Sequence, residues 1–388
     1  MDGAARIVAE TFEQRYGAAV KPRVYRAPGR VNLIGEHTDY NLGFVLPVAL
    51  DLASFTACAP NGDGCFRVFS RNLDQERSWP VQSIAEAQPA KEWSDYPLGV
   101  ARELVRAGFP IQPYNLVIWS TVPTGSGLSS SAALEVSTAL ALLGGRAMEP
   151  LELAKLCRRA ENDFVGMPCG IMDQYISVFG REHSAIRIDC RNLENEVVPL
   201  PEDVEFVAVN TMVKHELGSS AYRQRVAECR QAVDVIRERL PEVASLRDVS
   251  SYVLSGFEAE MPIVPMRRAL HVVTENERVE AFVRASHEGD ARTMGDLFVG
   301  SHRSLQKDYE VSCEELDFLV DTALAIPGVL GARMTGGGFG GCTVNMIRPD
   351  VVELFKSAIT HSYKARYGLT PEFYPCRPSA GAAEIAGV

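Results

Sequence analysis

The sequence predicts an α+β protein of two domains, and three observations point there. At 388 residues the chain is too long for one ordinary domain and suits two packed together. Both halves mix helix-type and strand-type apolar patterns, as helices layered on antiparallel strands would. Between the halves lies a polar stretch in which acids and prolines cluster, RNLENEVVPLPED. The boundary is expected within 190–203, dividing the chain into 1–195 and 196–388. No internal repeat or low-complexity segment interrupts either part.

MDGAARIVAETFEQRYG opens the chain as an amphipathic helix. VNLI and FVLPVAL are apolar enough for buried strands, and FTACAP, FRVFS and YNLVIWSTV alternate or run apolar in the same way. AALEVSTALALLGG is a helix that stops at a glycine pair. LELAKLCRRAENDFVG carries a helical stripe at Leu153, Leu156, Cys157, Ala160 and Phe164. SAIRIDC returns to strand. In the second half VEFVAVN is a strand. Helices follow from about Ala221 to Leu240, from about Val264 to Tyr309 with breaks, and from Cys313 to Ala325. GVLGARMTGGGFGGCTVNMI reads as strand, glycine loop, strand. The helix VVELFKSAITHSYKARYG and a strand near EFYPC complete the body.

Bulk composition excludes several function classes. Hydrophobic content of 46% and charged content of 23% are those of a globular protein with a sizeable core. A net charge of −11 argues against a nucleic-acid or anionic-membrane surface, though a local pocket can still be positive. No apolar run approaches the ~20 residues that span a bilayer. The first residues carry acids where a signal peptide needs a basic and then an apolar run, so a cytoplasmic location is expected. Nine cysteines, odd in number and without a C-x-x-C, fit reduced thiols rather than disulfides or structural zinc. Cys157 and Cys229 sit on apolar stripes as core residues.

Chemistry concentrates in four segments. RAPGRVNLIGEHTDY crowds Arg30, Glu36, His37 and Asp39 beside Pro28, Gly29 and Gly35, between two apolar runs. Carboxylates and imidazole on a rigid turn suit a small polyhydroxylated ligand. STVPTGSGLSSSAALEV is strand, glycine–serine loop, helix, so helix-start amides together with Ser129, Ser130 and Ser131 could cradle a phosphate. It lacks the Gly-Lys-Ser/Thr of a Walker A loop, and Ser130 replaces the last glycine of a dinucleotide fingerprint. The plainer reading is a serine-capped helix. Glu161 flanks its helix's buried stripe, either reaching solvent or, beside a nucleoside triphosphate, joining Ser131 on Mg²⁺. Asp173 in GMPCGIMDQYISVFG is either a helix N-cap or a general base with Arg30 as its neighbouring cation. TGGGFGG matches G-x-G-x-x-G, but the β-type run CTVNMI follows, so a close approach of backbone or substrate is expected instead of a dinucleotide.

Together these segments resemble the GHMP family of small-molecule kinases, most closely its galactose-phosphorylating branch. The resemblance rests on PGRVNLIGEHTDYN, PTGSGLSSSAALE, GMPCGIMDQ, SHRSLQKDYEVSC and MTGGGFGGCTV, and runs from about Pro28 to Cys342 and on to FYPCRPSAGA. It implies an N-terminal domain like part of ribosomal protein S5 (domain 2), a ferredoxin-like C-terminal domain and an active site between them. It implies ATP-dependent phosphorylation of the anomeric hydroxyl of D-galactose; a monomer is expected, though no residue pattern derives it. Asp173 is then the catalytic base and Arg30 the transition-state cation. Glu36, His37, Thr38, Asp39, Gly170, Asp173 and Tyr222 would contact the sugar. Gly125, Ser126, Gly127, Leu128, Ser129, Ser130 and Ser131 would hold ATP phosphates, with Ser131 and Glu161 on Mg²⁺. Ser70, Trp93 and Tyr96 fall where the family has nucleotide-side residues. Ser126 departs from the family's usual Ala or Gly and is expected to be tolerated if its backbone suits a non-glycine residue. A related sugar 1-kinase acting on N-acetylgalactosamine or arabinose stays open, as does a galactose- and ATP-binding sensor. Such a sensor lacks a Ser-Ala pair in this loop, whereas Ser131 and Ala132 are both present here.

Overall fold

The computed structural model describes residues 2–18, 20–214 and 218–387. Its first half runs α1 (Asp2–Tyr16), β1 (Arg23–Asn32), β2 (Phe44–Val45), β3 (Pro47–Pro60), β4 (Cys65–Ser70), β5 (Gln75–Pro80), α2 (Asp95–Arg106) and β6 (Tyr114–Ser120). It continues with α3 (Ser130–Leu143), α4 (Pro150–Arg159), α5 (Met172–Phe179), β7 (Ser184–Asp189) and β8 (Asn195–Pro199). The second half holds β9 (Glu205–Lys214), α6 (Gly218–Arg237), α7 (Ser251–Ser255), α8 (Ile263–Glu288), α9 (Ala291–Ser304) and α10 (Glu314–Leu324). Strands β10 (Val329–Thr335) and β11 (Gly340–Ile347), helix α11 (Val352–Tyr367), β12 (Glu372–Pro375) and β13 (Ala383–Ile385) end the chain.

Strand alternation builds a layered first half. Six strands lie in the order β13-β1-β3-β6-β4-β5, antiparallel except for the parallel β4–β6 pair. Val24, Phe55, Ala57 and Val117 face α1, where Ala5, Val8 and Phe12 cover them. Their neighbours Tyr25, Cys58, Leu116 and Ile118 point the other way, onto α2, α3 and α4. Helix α3 ends as expected, at a left-handed Gly144.

The second half is a four-stranded antiparallel sheet, β10-β11-β9-β12. Val207 and Val209 pack on α10 and α11. Phe206, Ala208, Val344 and Met346 turn to the opposite face and share one apolar cluster with Val31, Leu33, Leu46 and Val48 of the first half and with α8 and α9. A continuous apolar core therefore joins the two halves.

Several expectations need correction. The helix expected over 151–166 is two segments of different pitch, α4 and then a wider π turn over Ala160–Val165. The polar stretch RNLENEVVPLPED contains β8, which pairs with β7. It is polar because one face of this edge strand meets solvent while Val198 is buried. Helix α2 and strands β5 and β13 lie outside the elements expected from the sequence. Strand β13 returns to pair with β1, so the end of the chain belongs to the first sheet. Among the described residues no helix is long and apolar enough to cross a membrane.

Candidate active site

The site is organised around Arg30. It lies near the end of β1, where the pairing with β3 shifts register between Pro28 and Arg30. Its guanidinium holds Asp173 in two parallel bonds, Nε to Oδ1 at 2.8 Å and Nη2 to Oδ2 at 2.9 Å. Nη1 donates to the Gly127 carbonyl, and the Arg30 amide donates to the Leu128 carbonyl at 3.0 Å. Ser129 also donates its hydroxyl to Asp173 Oδ2. The two plainer readings therefore fail. Ile171, not Asp173, takes the cap position of α5. Ser129 takes the cap position of α3, yet its side chain makes no capping bond.

The polar turn after β1 closes one side. Glu36 Oε1 accepts from the Gly336 amide at 2.7 Å and the Thr335 hydroxyl at 3.0 Å, with Arg333 at 3.5 Å. These donors tie one carboxylate oxygen to the glycine loop and leave Oε2 to the cavity. His37 adopts a left-handed backbone (φ 62°), a strain of ~1–3 kcal/mol for a non-glycine residue. Its Nδ1 meets the Tyr40 hydroxyl at 2.8 Å, and its ring lies against Tyr222 and Tyr309. Burial, then the charges of His271, Arg225 and Arg333, push the imidazole down to about 3, so it is neutral at pH 7. Its Nε2 is buried without a partner among the described residues. Burial pushes the Asp39 carboxyl up to about 6, and neighbouring Asp173 and Glu36 add to the shift. A Cβ on Gly170 would stand 1.7 Å from Asp39 Oδ2, so only glycine leaves that carboxylate its place. Thr38 behaves differently from its neighbours: it is buried, with its hydroxyl against the Gly35 and Phe44 carbonyls, and it shapes the turn from beneath.

Arg30, Glu36, His37, Asp39, Gly170, Asp173 and Tyr222 thus line one cavity of about 140 Å³, with Cys169, Met172, Gly336 and Gly337. That is small beside the ~300–1,000 Å³ of drug-sized sites.

The serine loop lies on the other side of Arg30. Gly125 and Gly127 take positive φ (75° and 76°) on either side of Ser126, whose backbone is not left-handed. Ser126 donates its hydroxyl to the Pro123 carbonyl at 2.8 Å, so it fits as a non-glycine residue there. The Cys342 thiol donates to the Ser126 carbonyl at 2.9 Å and pins the two glycine loops together. No side chain caps α3, so its first amides point out of the helix unpaired by a cap.

Glu161 is buried, not solvated. Burial raises its pKa, Asp173 adds to the rise, and hydrogen bonds from Ser131, Cys169 and Gln174 oppose it. Ser131 and Glu161 therefore meet as hard oxygen donors next to uncompensated negative charge, a setting that fits Mg²⁺. Among the described residues no group of three or more His, Cys, Asp and Glu forms a metal cage. Mg²⁺ that keeps waters and phosphate oxygens needs no such cage. Tyr96 on α2 lies near these carboxylates, and burial, then Glu161 and Glu135, push its phenol up to about 12. Ser70 is buried at the end of β4, and Trp93 bonds Gln75 of the edge strand β5 and packs on the sheet face that α2, α3 and α4 cover.

Comparison with known proteins places this geometry. Residues 10–60 match the galactokinase galactose-binding signature, 95–181 the GHMP kinases N terminal domain and 279–365 the GHMP kinases C terminal domain. A galactokinase of Roseiflexus sp. (strain RS-1) is 44% identical over 97% of this chain and 96% of its own. One from Chloroflexus aurantiacus is 45% identical over 95% of both. The chain belongs to the galactokinase family. The crystal structure of Lactococcus lactis galactokinase complexed with galactose matches with a TM-score of 0.93 at 34% identity, covering 98% of this chain and 100% of that one. Methanococcus jannaschii mevalonate kinase shares the fold alone, with a TM-score of 0.68 at 17% identity over 92% of this chain and 98% of its own. The two-domain α+β fold expected from the resemblance is thus the GHMP kinase fold.

In this galactokinase-family site, sequence reasoning passed over Thr335, Arg333, Cys169, Gln174 and Glu135. Two of them carry a readable signal. Arg333 is a lone cation in the apolar strand VLGARMT, and Glu135 a lone acid in the apolar helix ALEVSTALALL.

Asp39 yields a stability prediction. Its folded pKa of about 6 exceeds the 3.8 of the free carboxyl, so the folded state holds the proton more tightly. Wild-type stability contributed by this group is then lost as pH rises from about 4 to about 6. Asp39→Asn lacks that loss, so its stability relative to wild type should rise by roughly 1–3 kcal/mol between pH 4 and pH 7. Denaturant titrations at both pH values measure this, and equal differences at the two would refute it.

Proposed function

We propose that this chain transfers the γ-phosphoryl group of ATP to the anomeric hydroxyl of D-galactose, giving galactose 1-phosphate and ADP. The observation that carries the reading is the Arg30–Asp173 pair, which stands between a sugar-sized cavity and a loop of the phosphate-cradling kind. In the reaction O1 forms a bond to the γ-phosphorus as the bond to the bridging oxygen of ADP breaks. Asp173 takes the O1 proton. Arg30 and the uncapped amides at the start of α3 face the charge that shifts onto the phosphates. Ser131 and Glu161 would hold Mg²⁺, which neutralises phosphate charge when bound. Most of the rate comes from holding the two substrates in line. Base catalysis typically adds ~10²–10⁴-fold, and less where the transition state is loose and the proton leaves late.

Glu36 Oε2, neutral His37, Asp39 and Tyr222 supply acceptors and donors of different kinds around the cavity. A site that pairs particular hydroxyls rejects an analogue that leaves its groups unpaired, by up to ~10⁴-fold.

Asp173→Asn should lower kcat by about 10²-fold or more while ATP affinity stays within about twofold. Unchanged turnover in that variant would remove Asp173 from the chemistry. In an ADP-release assay over a sugar panel, galactose should exceed glucose, N-acetylgalactosamine and arabinose in kcat/KM. Equal rates on galactose and glucose would show the cavity residues to be misassigned. Gly170→Ala should raise the galactose KM about tenfold or more, because the new methyl displaces the Asp39 carboxylate. The ATP KM should not move, and a galactose KM equal to wild type would mean Asp39 does not touch the sugar.

A further inference from the structure

Glu135 and Gln174 have no part in the chemistry above, yet both are fully buried beside it. Gln174 follows Asp173 on α5. Its amide nitrogen donates to Glu161 Oε2 at 2.6 Å and to Glu135 Oε2 at 3.0 Å. An NH₂ group between two carboxylate oxygens is the chemically sensible orientation of that amide. The Cys169 thiol adds a donor to the same Glu161 oxygen at 3.3 Å. Glu161 Oε2 is thereby tied to the scaffold, and Oε1 is left clear of these donors.

Helix α3 supplies the other end of the chain of contacts. Ser131 and Glu135 lie four residues apart on it and so share a face. From that face Glu135 reaches Glu161 through Gln174, and Ser131 lies close enough to lower the Glu161 pKa. Packing alone does not account for this arrangement. Glu135 Oε1 and Gln174 Oε1 are buried without partners among the described residues, which costs free energy that an apolar pair would not.

Building on the reading of Ser131 and Glu161 as Mg²⁺ ligands, we propose that Gln174 and Glu135 are positioning residues that hold the Glu161 carboxylate in place for the divalent cation of the nucleotide complex. Residues that orient a ligand in this way typically govern metal affinity by 10–100-fold. They touch neither the sugar nor the reacting atoms.

The test uses Mn²⁺ as the probe, titrated into the full chain with ATP and followed by electron paramagnetic resonance. Gln174→Met keeps the side chain's length and removes its donor. It should weaken Mn²⁺ affinity about 10–100-fold, with galactose affinity and metal-free ATP affinity within about twofold of wild type. Glu135→Gln keeps an acceptor for Gln174 and should retain Mn²⁺ affinity within about threefold, whereas Glu135→Leu should lose it as Gln174→Met does. Glu135→Leu also serves if Gln174→Met does not fold, as judged by its thermal transition. Wild-type Mn²⁺ affinity in a folded Gln174→Met chain overturns the proposal. So does a parallel fall in Mn²⁺ and galactose affinity, which marks a general structural role. Mn²⁺ binding is read apart from sugar turnover. Loss of metal affinity in a chain that phosphorylates no sugar would therefore support the positioning role and overturn only the reading of the reaction.

Discussion

Arg30 and Asp173 are 143 positions apart, and the two parallel bonds between them fix the relation of β1 to α5. The third guanidinium contact fixes a further element, because Nη1 donates to Gly127 of the serine loop. Ser129 closes the triangle from that loop back to Asp173. A lysine could not do this, since a point charge on a flexible stem lacks the planar fork. The geometry also explains why Ser129 sits in a strained left-handed cap position without capping α3. Its hydroxyl is turned to Asp173, and the helix start is left open.

The carboxylates around this pair share one design. Glu36 gives Oε1 to Thr335 and Gly336. Glu161 gives Oε2 to Gln174 and Cys169. In each case one oxygen is committed to the protein, and Glu36 also lines the cavity. Commitment removes the rotational freedom that a ligand would otherwise have to freeze. The contacts that commit Glu36 come from the second half, about 300 positions away, so the apolar cluster joining the two halves is a condition of the site as well as of the fold.

What the sequence reveals of this depends on the range of the contact. The turn after β1 and the serine loop are legible because each packs its chemistry into one short segment with its own glycines. Helix α3 is legible for its largely apolar run and its glycine stop. Strand β8 is not, since an edge strand with one wet face has the composition of a linker. Strand β13 is three residues long and gains meaning only from β1 across the whole chain. The supporting residues fail for the same reason: Arg333 reaches the Asn32 and Leu33 carbonyls from about 300 positions away. Thr38 shows the converse error. Adjacency in a motif placed it among ligand-binding residues, but side chains on a tight turn diverge, and its hydroxyl points inward.

Burial acts on Asp39, Glu135, Glu161 and Glu275 in the same direction, and the neighbours decide the outcome. Glu275, fully buried beneath the turn after β1, would be raised by burial, but Arg278, His271, Arg333 and the Ser301 hydroxyl outweigh it and bring it to about 2. It accepts from the Gly35 amide at 3.0 Å and Ser301 at 2.6 Å, and it is fully provided for. Burial raises the pKa values of Asp39, Glu135 and Glu161, and neighbouring carboxylates add to the rise instead of opposing it. The difference separates scaffold from site. A structural carboxylate is satisfied by the protein that surrounds it. One that remains unsatisfied inside a well-packed protein is costly, and the cost is offset when hydroxyl donors or a cation arrive. The under-compensated acids gather on the two sides of Arg30 where such partners would bind, and the compensated one lies behind them, holding the turn.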